Sequence, residues 1–278
     1  MKKKLLVLLA LIMVLSLAAM TGCGKDTSDE ANAETSGWDY IQDKGVLVVG
    51  LDDTFAPMGF RDEENNLVGF DIDLANAVGK VLGVEIEFRP IALESNEMEL
   101  DSKNIDCIWN GMSATEERQE SMALTKKYLN NKIVIMTASD DVVIENVEDM
   151  QNYKIGTQVD SAALEAMQAN ESFATFEGNI TEFDSYDEAI LALQGGRIDC
   201  MVVDQVLGEY KNSKLDTPFM VCPFDFGNDF YAIGCRKADT DVADKISEAI
   251  GTLIENGTAA EISNNWFGKD IVILEDYE

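Results

Sequence analysis

Three stretches of this chain bring together residues able to hold charge or present hydrogen-bond donors. The first runs Gly50-Leu51-Asp52-Asp53-Thr54-Phe55-Ala56-Pro57-Met58-Gly59-Phe60 and continues at Leu67-Val68-Gly69-Phe70-Asp71-Ile72-Asp73-Leu74. The second is Asp106-Cys107-Ile108-Trp109-Asn110-Gly111-Met112-Ser113-Ala114-Thr115-Glu116-Glu117-Arg118, and the third spans Glu255-Asn256-Gly257-Thr258 and Asn265-Trp266-Phe267-Gly268. In the second, Thr115 is placed to cap a short helix with Arg118 in its first turn, where a planar guanidinium can grip a carboxylate through two parallel hydrogen bonds. Gly111, Ser113 and neighbouring backbone N–H groups can complete such a cradle. Asp204, after the apolar pair Val202-Val203, offers a carboxylate to a cation. Simpler roles compete: a surface ion pair of Arg118 with Glu116 or Glu117, and an N-cap role for Asp204. Asp52 can accept hydrogen bonds from an amide, ammonium or guanidinium, and Phe55 offers a ring face, while Asp52 or Asp53 equally suits the turn after a strand.

Other chemistry is excluded. The chain has no histidine and its five cysteines form no CxxC. Cys/His zinc sites, histidine bases and Ser–His or Cys–His nucleophiles are therefore ruled out or badly weakened, and neither metal nor cofactor is expected. A net charge of −31 over 278 residues repels nucleic acid.

The elements that position these residues begin after an export signal. Lys2, Lys3 and Lys4 precede an apolar run from Leu5 to Met20, too short to span a bilayer and ending in small residues. Met20-Thr21-Gly22-Cys23 resembles the bacterial lipobox, in which the cysteine becomes the lipidated first residue. Residues 1–22 are thus expected to be a lipoprotein signal peptide, with Cys23 the anchor and the polar stretch 23–37 a flexible tether. The membrane is then met through the lipid alone. Next come strands at Val46–Gly50, Val84–Phe88 and Ile105–Trp109, with helices at Phe70–Leu82 and about Asn96–Lys103 between them. This β-α-β-α-β rhythm belongs to a mostly parallel sheet with helices on its faces.

The rhythm restarts after Lys132. Strands are expected at Ile133–Met136, Lys154–Thr157, Phe173–Phe176 and Cys200–Val203, with helices at Ser161–Ala169 and Ser185–Gln194. Ser185 and Glu188 fit a capping box. A strand near Phe230–Gly234 and helices at about Val242–Glu255 and Thr258–Trp266 finish the chain. Lys103-Asn104-Ile105-Asp106-Cys107 is echoed by Gly196-Arg197-Ile198-Asp199-Cys200, as two lobes on one plan would produce, although common helix-to-strand turns produce it too. Cys107 and Cys200 read as small core residues. Cys222 and Cys235 flank what reads as two adjacent strands that an exported protein could join, but spacing alone does not establish pairing.

The three stretches, in this order and spacing from about Trp38 to the C-terminus, resemble the bacterial extracellular solute-binding proteins of family 3, which deliver polar amino acids to ABC transporters. The resemblance implies an α/β, two-lobed periplasmic-binding-protein type II fold, each lobe a mixed, mostly parallel sheet flanked by helices, with a cleft between them. Lobe 1 would comprise 38–129 plus 230–278 and lobe 2 133–226, with hinge strands near 128–132 and 225–230. A free amino acid carries a carboxylate and an ammonium on one carbon, so its receptor needs one positive and one negative anchor. By resemblance Arg118, Ser113 and Gly111, with Ser161 and Ala162, would hold the carboxylate and Asp204 the ammonium. Asp52, Phe55, Leu93, Asn110 and Gln158 would meet the side chain. Leu93 stands where many members carry an aromatic, and Asn110 replaces a commoner small residue. Val203 and Ala162 are apolar where polar contacts are frequent. Asp52 should repel an acidic side chain, which leaves neutral polar or cationic ligands. The resemblance further implies a monomer on the outer face of the cell membrane, partnered by an ABC permease and without enzymatic activity. The alternatives are an enzyme on the same fold, a dehydratase or a glycan-cleaving enzyme, and a ligand-sensing ectodomain.

Overall fold

The computed structural model describes residues 36–277; the expected signal, Cys23 and most of the expected tether lie outside them. Ser36 caps a helix not foreseen in the sequence, α1 (Gly37–Lys44), which claims the tether's last residue. A first group of elements follows: β1 (Val46–Leu51), β2 (Thr54–Phe55), β3 (Gly59–Arg61), β4 (Leu67–Val68), α2 (Phe70–Leu82), β5 (Glu85–Pro90), α3 (Asn96–Asp101), β6 (Cys107–Ile108), α4 (Glu116–Ser121) and β7 (Ala123–Leu124). The second comprises β8 (Lys127–Thr137), β9 (Ile155–Gln158), α5 (Ala162–Gln168), β10 (Ile180–Phe183), α6 (Tyr186–Gln194), β11 (Cys200–Asp204), α7 (Gln205–Asn212) and β12 (Met220–Tyr231). The chain ends with β13 (Gly234–Cys235), α8 (Thr240–Glu255), α9 (Thr258–Phe267) and β14 (Val272–Glu275). No helix among the described residues is long and apolar enough to cross a membrane.

Two large sheets and one small one result. The large ones have the orders β5-β1-β6-β13-β7 and β10-β9-β11-β8-β12 with β14 joined to β8, and the small one is β2-β3-β4. In the first, β1 is parallel to β5 and β6, while β13 is antiparallel to β6 and β7. In the second, β9 is parallel to β10 and β11, while β8 is antiparallel to β11 and β12. Strand alternation sends residues to opposite faces. On β1, Leu47 and Val49 join one core cluster and Val48 another. On β8, Val134 and Met136 share the cluster of Leu47 and Val49, whereas Ile133 and Ile135 pack with Phe176 and Cys222. One apolar cluster therefore runs through both sheets.

Two strand expectations are corrected. Phe173–Phe176 is not a strand: the chain makes 3₁₀ turns at Phe173–Thr175 and Glu177–Asn179, and the strand is β10. The two phenylalanines, three apart, pack edge to face at 5.6 Å as a tight helical turn allows. The strand near Phe230–Gly234 is really the end of β12 followed by β13. β12 is hidden in the sequence because Pro223 and Gly227 interrupt it, and its register shifts on either side of Asp225. Cys222 and Cys235 are free, buried thiols in different sheets, and Cys235 lies opposite Cys107 across β13 and β6. Ser185 Oγ does accept the Glu188 N–H.

The start of α2 is docked on the loop before β3: Phe70 N–H donates to Pro57 O and Asp71 N–H to Met58 O, at 2.8 and 2.9 Å. Gly69 permits this approach, with φ at +148° and a Cβ position only 2.1 Å from Met58 O. Gly69→Ala should cost about 2 kcal/mol or more in thermal unfolding, whereas Gly178→Ala, with open space around its Cβ position, should stay within about 0.5 kcal/mol.

Candidate functional site

The eleven residues expected to meet a ligand all line one cavity between the two sheets, together with Leu51, Asn96, Ile108, Met112 and Asp160. Arg118 reaches it from α4, whose N-terminus is closed by Thr115 Oγ1 accepting the Arg118 N–H. Its Nη1 donates to Ser113 O, which aims the fork, while Nη2 donates to Asp160 O at 3.3 Å and to Glu165 Oε1 at 2.7 Å. The partner of Arg118 is thus Glu165 on α5, from the opposite sheet, and not Glu116 or Glu117. Ser161 Oγ caps α5 by accepting the Leu164 N–H and donates to Gln158 O. Ala162 opens that helix, with its N–H among the first-turn donors an α-helix leaves unpaired.

The loop leading to Arg118 is fixed from beneath. Asp71, fully buried in the first turn of α2, accepts the Gly111 N–H at 2.7 Å and the Tyr128 hydroxyl at 2.9 Å. The Gly111 amide is therefore already engaged. Gly111 has φ at +58°, and a Cβ there would sit 3.0 Å from both Met58 and Tyr231, so a side chain would collide with the floor of the loop.

Asp204 ends β11 and stands at the N-cap position of α7, yet its side chain makes no cap bond. Its Oδ1 instead accepts from Asn131 Nδ2 at 2.7 Å and Tyr231 OH at 3.0 Å. The same Asn131 nitrogen donates to Asp229 Oδ2 at 2.8 Å, and Ser113 Oγ donates to that oxygen at 2.6 Å. Asn131 Oδ1 accepts the Val206 N–H, performing the cap role that Asp204 leaves open. Burial, and after it the neighbouring Asp229, push the Asp204 carboxyl up to about 7; the Asp229 carboxyl is raised as well, chiefly by burial.

At the other end, Asp52 Oδ1 accepts the Thr54 N–H and hydroxyl, so the turn role is real, while its Oδ2 accepts from Gln158 Nε2 across the cleft at 2.8 Å. Asp53 pairs with Arg61. Asn110 Oδ1 accepts the Asp52 N–H. Phe55 meets the Tyr186 ring edge-on, and Leu93 lies in a 3₁₀ turn at the cleft rim. Gln158 Oε1 and Asn110 Nδ2 are buried without a partner among the described residues.

Asp229, Asn131, Glu165 and Tyr231 escaped the sequence reading, and Asp71 was quoted there without a role. Asp229 and Asn131 fall in the stretches expected to cross between lobes, and a buried acid in such a strand was the available signal. Glu165 gave none, as one acid among many on a helix.

Residues 47–269 match the model of the bacterial extracellular solute-binding proteins, family 3. The L-cystine-binding protein TcyA of Bacillus subtilis is 30% identical over 273 residues, covering 95% of this chain and 98% of that protein. A histidine-bound ABC uptake transporter substrate-binding protein from Streptococcus pneumoniae superposes with TM-score 0.79 at 32% identity, over 85% of this chain and 98% of the other. An ancestral amino-acid-binding protein described as a precursor of cyclohexadienyl dehydratase gives TM-score 0.75 at 28% identity, over 84% of this chain and all of that one. The chain belongs to the bacterial extracellular solute-binding proteins of family 3, and its fold is the two-lobed periplasmic-binding-protein type II fold.

Complete burial pushes the Asp71 carboxyl up to about 7, against the hydrogen bonds from Tyr128 and Gly111. The folded protein therefore holds this proton more tightly than the unfolded chain. The associated stability is present below the ordinary value of 3.8 and is lost as pH rises toward about 7. Asp71→Asn keeps an acceptor for Gly111 and removes the buried charge. In urea denaturation its stability relative to the parent should improve by more than about 1 kcal/mol between pH 4 and 8.

Proposed function

We propose that this family member is the substrate-binding component of an ABC importer and captures a free polar amino acid by closing its two lobes around it. The observation that carries this is the placement of Arg118 and Asp204, one from each sheet, in a single cavity. One positive and one negative group facing the same cavity suit the carboxylate and ammonium of an α-amino acid. On this reading the incoming carboxylate takes the place of Glu165 on the Arg118 fork, and Ser161 and Ala162 at the start of α5 add to its cradle. The ammonium goes to Asp204. The side chain extends toward Asp52, Phe55, Leu93, Asn110 and Gln158, where the acceptors favour neutral polar or cationic groups over acids.

Closure follows from differential contact. A ligand that touches both lobes lowers the free energy of the closed arrangement alone. The hinge is assigned to β8 and β12, where Asn130, Asn131 and Lys132 pair with Phe230, Asp229 and Asn228. Lobe 1 is then 38–129 plus 230–278, and lobe 2 is 133–226. The chain is read as a monomer held outside the cell membrane by lipid on Cys23, handing its ligand to a permease. Its reading as a binder and not an enzyme rests on the roles the cleft acids take as ligand anchors, Asp204 for the ammonium and Asp52 for the side chain, and on a chain with no histidine to serve as a base.

A thermal-shift panel of the twenty amino acids, ornithine and cystine tests this. At least one should raise Tm, since a ligand at 100 times Kd stabilises by about 2.7 kcal/mol, and mixing it with the protein should leave it chemically unchanged. Arg118→Ala should abolish the shift while the unliganded protein stays folded. A panel with no responder removes the reading's main support. Glu165→Gln should tighten binding about two- to fivefold by calorimetry, because a partly exposed ion pair worth roughly 0.5–1 kcal/mol no longer competes for Arg118.

A further inference from the structure

Behind Asp204, the carboxylate that lines the cavity, a second carboxylate is held beside it by a shared donor: Asp229, which faces a neighbouring pocket. Asp204 closes β11 in the second lobe, and Asp229 lies on the crossing strand β12 directly opposite Asn131. A single nitrogen, Asn131 Nδ2, gives one hydrogen to each at 2.7 and 2.8 Å, which fixes the two acids side by side. Tyr231 OH and Ser113 Oγ each supply one further donor, to Asp204 Oδ1 and Asp229 Oδ2. Asp204 Oδ2 and Asp229 Oδ1 are left with no side-chain donor among the described residues. Gln158 Oε1, buried without a partner on the wall of the same cavity, independently indicates that a polar ligand completes this space.

The charged and titratable surroundings of the pair are few. β12 contributes Tyr231, α6 contributes Tyr186, and Arg118 on α4, already bonded to Glu165, is the cation whose charge acts on both acids. Burial raises both tyrosines above their ordinary values, so neither loses its proton near neutrality. Two anions held this close, with their one cation shared, cannot both stay ionised at low cost.

We propose that Asp229 is the charge partner of Asp204 behind the ammonium subsite, and that the two acids hold one proton between them when the cleft is empty and release it to solvent as the ammonium enters. This rests on the amino-acid reading above. The charge balances: a pair carrying −1 with its proton becomes −2 beside a +1 ammonium, so the buried site keeps the same net charge while the proton leaves to the buffer. The Asp204 carboxyl at about 7, raised by burial and by Asp229, puts the exchange in a range that calorimetry reads easily. Capture is thereby weakened by acid even though neither the carboxylate nor the ammonium of the ligand titrates there.

The test is isothermal titration of the full chain with L-glutamine, L-arginine, L-lysine and L-cystine at pH 6, in buffers of different ionisation enthalpy. None of these probes titrates appreciably between pH 5 and 7. For whichever binds, close to one proton should be released per ligand, and Kd should weaken by about tenfold per pH unit from 7 down to 5. Asp229→Asn keeps an acceptor for Ser113 and Asn131 and removes the second charge. It should release less than about half as many protons at pH 6, with its loss of affinity displaced to lower pH. A parent protein that binds with no proton release and a flat Kd overturns the proposal and leaves the amino-acid reading intact, as does an Asp229→Asn protein that releases as many protons as the parent. If none of the four binds, the responder from the thermal-shift panel takes their place, and failure of that whole panel at every pH overturns the reading itself. Should Asp229→Asn not fold, the parent's proton count decides alone.

Discussion

The antiparallel pairing of β8 with β12 is the constraint on which the rest of this molecule depends. These are the longest strands among the described residues, and they carry the chain into the second sheet and back toward the first. Because Asn131 on one faces Asp229 on the other in register, their crossing is also where the acidic end of the cleft is built. Tyr231, one step further along β12 on the same face, adds its hydroxyl to Asp204. The hydrogen bonds that hold the two acids are therefore built on this strand pair.

The opposite end of the cleft is governed by a buried charge. Asp71 spends its carboxylate on the Gly111 amide and the Tyr128 hydroxyl, tying the loop that aims Arg118 to α2 below and to β8 beside it. Burying a carboxyl in this way is unfavourable by itself, and hydrogen bonds offset only part of the cost. What is gained is a loop with one conformation. Gly69 and Gly111, each at positive φ against backbone or packed rings, are the points where the chain comes close enough for that arrangement.

Part of the cleft's charge is met by internal partners. Glu165 occupies Arg118, Gln158 bridges to Asp52 across the cleft, and Asn131 links the two acids. On the proposed reading a ligand exchanges partners with these groups. Selectivity among ligands then depends on how well each replaces these internal contacts, which suits the spread of ligands among similar proteins, cystine and histidine among them.

Much of this was legible in the sequence. Short apolar runs and period-3.6 apolar patterns located most of the main strands and helices, because local burial dictates them. The motif around Arg118 declared its own cap through Thr115, since capping is a contact three residues long. Tertiary structure decided what depends on residues far apart. That Arg118 answers Glu165 and not Glu116, that Asp204 leaves its helix uncapped, and that Asp229 joins it are settled by contacts spanning 47, 73 and 98 residues. No local pattern encodes such pairs, because strand register and lobe closure place them, and both are properties of the whole fold.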